Sequence, residues 1–189
     1  STPILVIPGG TVRSKLGQSP DFDAIYAYKG VTKWVSQINQ IGRIPELMRR
    51  GYTFLRSGRL GPVMLQLPTD VAQESIDGLD LKYRPVKGVK SAGDPADISA
   101  AVRIILASKN PVIYVGQGIL WAEASNELIE FAESLEAPVM TTNTGKSSFP
   151  ESHALSIGTG GNTWTKMIPH FLKKADVVFL YGEIGVGKT

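Results

Sequence analysis

The sequence contains no cysteine and only two histidines, His153 and His170. The first absence excludes disulfides, thiol nucleophiles, zinc–thiolate sites and iron–sulfur clusters together, and the second leaves little for a histidine-ligated metal centre. No apolar run approaches the roughly 18–20 residues that a membrane-crossing helix needs. The opening residues show no basic patch, apolar core and small-residue cleavage site in succession, so no signal peptide is visible. Charge of one sign is scarce: 20 Lys and Arg face 17 Asp and Glu. The densest basic spots, Arg49-Arg50 and Lys173-Lys174, are pairs, not the clusters of a nucleic-acid face. Neither nucleic acid nor a membrane is expected as a partner, and the cytoplasm is the expected compartment. There is no internal repeat and no low-complexity tract.

What remains is globular material. The chain has 189 residues, 42% of them hydrophobic and 20% charged, enough for one domain or parts of two at roughly 150 residues per domain. Ile4-Leu5-Val6-Ile7, closed by Pro8-Gly9-Gly10, reads as a buried strand of a parallel sheet. Asp176 to Tyr181 is another, and it runs into the loop Gly182 to Thr189. A parallel strand normally leads into a covering helix, and none follows here. With no initiator Met either, the chain is expected to be a piece of a longer polypeptide. Between Ala72 and Pro95 glycines, prolines and charges interrupt any helical period, which predicts an exposed linker. The expected layout is therefore 1–75, a linker over 76–94, and a second region over 95–189.

In the first region a polar loop follows the opening strand through Pro20. Next come an apolar-aromatic stretch (Phe22, Ile25, Tyr26, Tyr28) and a strand around Val31–Ile38. Pro45 to Leu55 reads as a helix with a stripe of Leu47, Met48, Phe54 and Leu55, weakened by Gly51 and ended at Ser57-Gly58; Pro62–Leu67 is a strand. In the second region Asp94 can cap a helix that has Pro95 at its first position. Ile98, Ala101, Val102, Ile105 and Leu106 there recur at i, i+3, i+4, i+7 and i+8. Strand Pro111–Val115 follows, then a helix bearing Ala124, Leu128, Phe131, Ala132 and Leu135, strand Pro138–Thr141, an irregular stretch, and a helix over Thr163–Lys174. Strands alternating with helices define an α/β fold, parallel sheets flanked by helices.

Three glycine-rich strings could carry chemistry. Gly116-Gln117-Gly118 lies where a strand gives way to a helix, the place where backbone amides can approach a phosphate. Trp121 occupies the third position of the dinucleotide fingerprint, so a plain tight turn competes with a nucleotide loop. Gly182 to Thr189 matches the P-loop spacing, yet the mechanism needs a helix starting at Lys188 and a downstream acid for magnesium, so a nucleoside triphosphatase is a remote alternative. Gly158-Thr159-Gly160-Gly161, read as a loop after Ile157, says only that the backbone needs unusual dihedrals or close approach. His153, His170 and the carboxylate pairs Asp21/Asp23 and Asp77/Asp80 read as surface or structural groups. The residues by themselves name no catalytic group and no metal site.

Taken in order, three stretches resemble the end of the pyrimidine-binding domain of thiamine-diphosphate enzymes: Val31-Thr32-Lys33-Trp34, Ser57-Gly58-Arg59-Leu60-Gly61-Pro62-Val63 and Leu67-Pro68-Thr69-Asp70-Val71. The second half resembles their central domain through Lys109-Asn110-Pro111-Val112-Ile113, Ala137-Pro138-Val139, Gly145-Lys146, Phe149-Pro150-Glu151-Ser152-His153 and Ala175-Asp176-Val177-Val178. Acetolactate-synthase-like members are nearest in pattern. The resemblance implies a Rossmann-like central domain of the DHS-like NAD/FAD-binding type, preceded by the C-terminal part of a pyrimidine domain. It also implies a parent enzyme that uses thiamine diphosphate and Mg2+ to make or break C–C bonds next to a carbonyl, on a small 2-oxo acid, as a homodimer or homotetramer.

The groups that grip the coenzyme in this family have no counterpart in the chain, so no catalytic residue is assigned and the chain alone is expected to be inactive. The family's Phe-Gln-Glu active-site loop falls near Phe22 and Asp23, with Asp23 in place of Gln; Thr69 stands where acetolactate synthases carry Lys. Arg59, Gly116, Gln117, Gly118, Thr141 and Gly158 match positions that touch FAD in flavin-containing members. Because Gly158-Thr159-Gly160-Gly161 replaces the usual Gly-Met-His-Gly, FAD is admitted but not expected. The alternative is a free-standing Rossmann-like module that binds FAD or NAD at Gly116–Gly118.

Overall fold

The computed structural model describes residues 2–18, 22–88, 91–161 and 163–182. They form two compact units, Ser1–Ala92 and Gly93–Thr189.

The first unit is a parallel sheet built around one strand. β4 (Val63–Pro68) is flanked on one side by β1 (Leu5–Val6) and β2 (Gly9–Gly10), and on the other by β3 (Trp34–Gln37). The single strand expected over Ile4–Ile7 is thus two short pieces. Pro8 sits between them and has no N–H to give a ladder, although its carbonyl accepts from Leu67 N at 2.9 Å. Val63, Met64 and Leu65 are wholly buried, as the near-continuous apolar run of a central parallel strand demands.

Helix α1 (Ala24–Lys29) precedes β3, α2 (Ile44–Arg56) links β3 to β4, and the single turn α3 (Thr69–Ala72) follows β4. α2 lays Leu47, Gly51 and Leu55 on the sheet, while Phe54 stacks on Trp34 with ring centroids 5.5 Å apart. The described residues between α3 and Pro95 hold no regular element, and part of this segment returns to α2, where Arg56 Nη1 donates to the Val86 carbonyl at 2.6 Å.

The second unit runs α4 (Pro95–Ala107), β5 (Pro111–Val115), α5 (Gly118–Ala122), α6 (Ser125–Leu135), β6 (Val139–Thr142), β7 (Ser156–Gly160), α7 (Met167–Leu172) and β8 (Val177–Tyr181). Its strands are all parallel in the order β7-β6-β5-β8. The order reverses between β5 and β8, the switch point of a doubly wound sheet. Successive residues of β5 serve opposite faces: Val112 joins Met140, Ile157 and Ile168, whereas Ile113 and Val115 join Ile119, Leu128 and Phe149.

Four elements differ from the sequence reading, each for a local reason. One helix was expected after Gly118, but Glu123 takes a left-handed conformation (φ +57°) and closes α5 before α6 begins. The string Gly158–Gly160 is not a loop; it lies in β7, where Met140 pairs with Gly158 after a register shift and Gly158, at φ +93°, supplies the dihedral of a bulge. α7 is shorter than Thr163–Lys174 because the Thr165 hydroxyl instead donates to the Ile157 carbonyl at 2.7 Å. On α4, capped by Asp94 through Ala96 N at 2.8 Å, only Ile105 of the apolar stripe is buried, while Ile98, Ala101 and Val102 face an open apolar cleft beside Phe131 and Phe179.

Candidate functional site

In the first unit a cleft of about 510 Å3 opens beyond the carboxyl ends of β2, β3 and β4, with Thr11, Phe22, Asp23, Ile25, Gln37 and Gln66 on its wall. This is where open α/β sheets place ligands, since the strands end there and loops can diverge. Phe22 and Asp23, the loop residues suggested by resemblance, both line this cleft. Phe22 is 69% exposed, a large apolar residue at the mouth. Asp23 is partly committed: its carboxylate accepts the Tyr26 N–H at 2.9 Å and caps α1.

Gln37 and Gln66 were missed from the sequence. They stand opposite each other in register on β3 and β4, so their side chains share one face of the sheet. Gln66 is only 7% exposed. A Cβ added at Gly10 would come within 2.8 Å of its Nε2, so the glycine on β2 makes room for the carboxamide. The signal was available: Gln66 is the one polar residue in an otherwise apolar strand.

The rim of the cleft is held by Arg13. Its Nε donates to Asp70 Oδ2 at 2.6 Å, its Nη1 to the Asn39 carbonyl at 2.9 Å, and its Nη2 to Glu74. The Arg13 hydrogen bond holds the Asp70 carboxyl below its usual range. These bonds join the turn after β2 to α3, and so fix the segment that carries Leu16 and Gly17 into the cleft.

In the second unit Gly116 to Gly118 lie at the switch point. Gly116 N donates to the Tyr181 carbonyl at 2.8 Å. A Cβ on Gly145 would meet the Gly116 carbonyl carbon at 2.8 Å, and one on Gly182 would meet Gly118 N at 3.1 Å. Thr141 pairs with Val115 in register, and its hydroxyl is 3.2 Å from that of Thr159. Of the positions matched to flavin contacts, Gly116, Gln117, Gly118 and Thr141 therefore gather at the carboxyl ends of β5 and β6. Gly158 lies in β7, and Arg59 is exposed in the first unit between α2 and β4.

The glycines of β7 have packing partners of their own. Gly158 lies under Thr165 and Gly160 under Met140, where a Cβ would come within 2.6 and 2.5 Å. The Ser148 hydroxyl has no hydrogen-bond partner among the described residues, but it is wholly buried and presents nothing to a ligand. These contacts account for the glycines without a nucleotide. The P-loop-like string lies outside the described residues beyond Gly182.

His153 is tied into the fold, whereas His170 is exposed. His153 Nδ1 accepts from Leu155 N at 3.2 Å, which leaves Nε2 to donate to Glu133 at 3.1 Å, and the ring sits edge-on to Phe149. His170 Nε2 is 3.3 Å from Lys174 Nζ. Among the described residues no group of three or more His, Asp or Glu could hold a metal ion, and no helix is long and apolar enough to cross a membrane.

Two parallel α/β units, one with a cleft at its strand ends and one with a glycine-lined switch point, define a protein of the parallel α/β class. Residues 98–185 match the family model described as thiamine pyrophosphate enzyme, central domain. The chain is 34% identical over 193 residues to a "Probable acetolactate synthase large subunit" of Methanocaldococcus jannaschii, covering 96% of this chain and 32% of that protein. It is 33% identical over 165 residues to glyoxylate carboligase of Escherichia coli O157:H7, covering 85% of this chain and 28% of that one. A solved structure from Mycobacterium smegmatis, described as that of "a putative thiamin diphosphate-dependent enzyme", superposes with a TM-score of 0.78 at 25% identity, over 97% of this chain and 38% of its own. By these matches the chain is acetolactate-synthase-like, similar over nearly its whole length to thiamine-diphosphate-dependent enzymes. It spans about a third of the length of the curated relatives it matches.

Proposed function

We propose that the chain is the part of a thiamine-diphosphate-dependent carboligase or decarboxylase that walls the substrate cleft and braces the enzyme. Residues 1–75 are the C-terminal part of a pyrimidine-binding domain, 76–94 a linker, and 95–189 a central domain. The observation that carries this reading is the convergence of Phe22, Asp23, Gln37 and Gln66 on one cleft at the carboxyl ends of parallel strands, in a chain of this family. The substrate is a small 2-oxo acid or activated aldehyde, the enzyme is a homo-oligomer, and it works in the cytoplasm.

Thiamine diphosphate, when bound, supplies the electron sink for the carbanion formed next to a carbonyl. This chain's contribution lies in binding and shielding. Phe22 covers the mouth of the cleft and excludes water from the reacting centre. The Gln37 and Gln66 carboxamides donate hydrogen bonds to the carboxylate or carbonyl oxygen of the substrate and fix its orientation. Asp23 orders the start of α1 and thereby places Phe22. FAD at Gly116–Gly118 is not required by this reading.

The test splices residues 1–189 in place of the aligned third of the Corynebacterium glutamicum acetolactate synthase large subunit, to which the chain is 33% identical. The folded, coenzyme-loaded hybrid is expected to consume a 2-oxo acid, and Phe22→Ala to lower its kcat/KM about tenfold or more. A folded, loaded hybrid without turnover of any 2-oxo acid or aldehyde would overturn the reading. Calorimetry with FAD, NAD and ADP addresses the nucleotide-module alternative, which requires tight binding that Gly118→Val abolishes.

A further inference from the structure

The basic pair Arg49-Arg50 is not used by the cleft at the strand ends. Arg50 lies over the Trp34 ring, 5.3 Å from its centroid. Arg49 instead meets the segment that returns along α2. With Thr53, Lys82 and Arg84 it lines a second cleft of about 620 Å3 in the first unit. The acid nearest in sequence, Glu46, pairs with Arg43 at 3.0 Å and also feels Arg49 and Arg50, and Lys82 pairs with Asp80 at 2.6 Å. The lining itself carries three cations and no acid, and a cleft lined by one sign concentrates its field on an entering anion.

The wall carrying Lys82 and Arg84 is fastened in place. Arg56 Nη1 holds the Val86 carbonyl at 2.6 Å, and Pro85 restricts Arg84 to extended backbone. Across Pro85 lies an apolar cleft of about 480 Å3 that includes Met48, Tyr52, Leu81 and Tyr83. Arg56 braces the Tyr52 ring at 5.3 Å, and Tyr83 is 42% exposed. A cationic cleft and an aromatic slot thus share one proline wall, an arrangement suited to a ligand with phosphates at one end and a flat ring at the other.

We propose that this face of the first unit binds a nucleoside diphosphate. The phosphates are held by Arg49, Lys82 and Arg84, and the base lies against Tyr52 and Tyr83. Arginine forks match phosphate oxygens in pairs, and Lys82 adds a point charge. This site is separate from the substrate cleft, so either proposal can fail without the other.

The test is calorimetry on the 189-residue chain with ADP, inorganic pyrophosphate and adenosine, at low and at physiological salt. ADP is expected to bind saturably and more weakly as salt rises, pyrophosphate to bind more weakly than ADP, and adenosine not to bind. Arg49→Glu combined with Arg84→Glu should weaken ADP about tenfold or more. Tyr83→Ala should weaken ADP but not pyrophosphate. If the charge reversal shifts the unfolding midpoint, Arg49→Gln with Arg84→Gln replaces it. Absence of saturable ADP binding would overturn the proposal. So would ADP binding that survives loss of both arginines, since it would then belong to another site such as Gly116–Gly118.

Discussion

Gln37 and Gln66 face each other across β3 and β4, and Gly10 on the far side of β4 leaves the space that the Gln66 carboxamide fills. The pair is placed there by register, because neighbouring parallel strands project paired residues to the same side. Gly10→Ala should push the Gln66 amide aside, at a cost of about 1–3 kcal/mol in the first unit. The check is urea unfolding together with the shift of the Gln66 side-chain amide signals.

Not every glycine is obligatory. Gly51 lies inside α2, and a Cβ there would sit 3.5 Å from Val63 and 3.6 Å from Leu65, ordinary van der Waals contact. Gly51→Ala should therefore stabilise the first unit by about 0.5–1 kcal/mol through helix propensity and a less flexible unfolded chain. A rise in the urea midpoint at constant slope is the expected result.

Gly145 is the opposite case. A Cβ would press on the Val115 carbonyl oxygen and the Gly116 carbonyl carbon, both at 2.8 Å and both backbone. Gly145→Ala should destabilise the second unit by about 1–3 kcal/mol and perturb the amide signals of Gly116 to Gly118. The first unit should be unaffected.

Asp176 sets an acid limit on the second unit. The Ser108 hydroxyl and the Lys109 and Asn110 amides all donate to its carboxylate, and they lower its pKa to about 2 from the ordinary 3.8. A carboxylate held low in the folded state stabilises that state above its unfolded pKa, and the contribution disappears as pH falls through the folded value. Stability should thus decline between about pH 4 and pH 2. Asp176→Asn should lower the midpoint near neutrality and flatten that decline, as acid titrations of thermal unfolding would show.

The parts legible in the sequence are those decided locally. The Asp94-Pro95 start of α4, the apolar strands β4, β5 and β8, and the stripe of α6 follow from caps and periodicity within a few residues. The parts that were missed are decided at a distance. β7 reads as irregular because its glycines answer to residues outside the strand, Gly158 to Thr165 and Gly160 to Met140 on β6. The exposed stripe of α4 cannot be told from a buried one by its spacing. Phe22 and Asp23 are suggested by resemblance, whereas Gln37 and Gln66 become a pair only once β3 and β4 are aligned.

The most direct measurement is release of CO2 from pyruvate and other 2-oxo acids by the purified 189-residue chain supplied with thiamine diphosphate and Mg2+. If the chain provides the cleft wall and the brace while other segments of the enzyme grip the coenzyme, release stays at the level of the protein-free control. Coenzyme-dependent turnover by the isolated chain would contradict that division of labour.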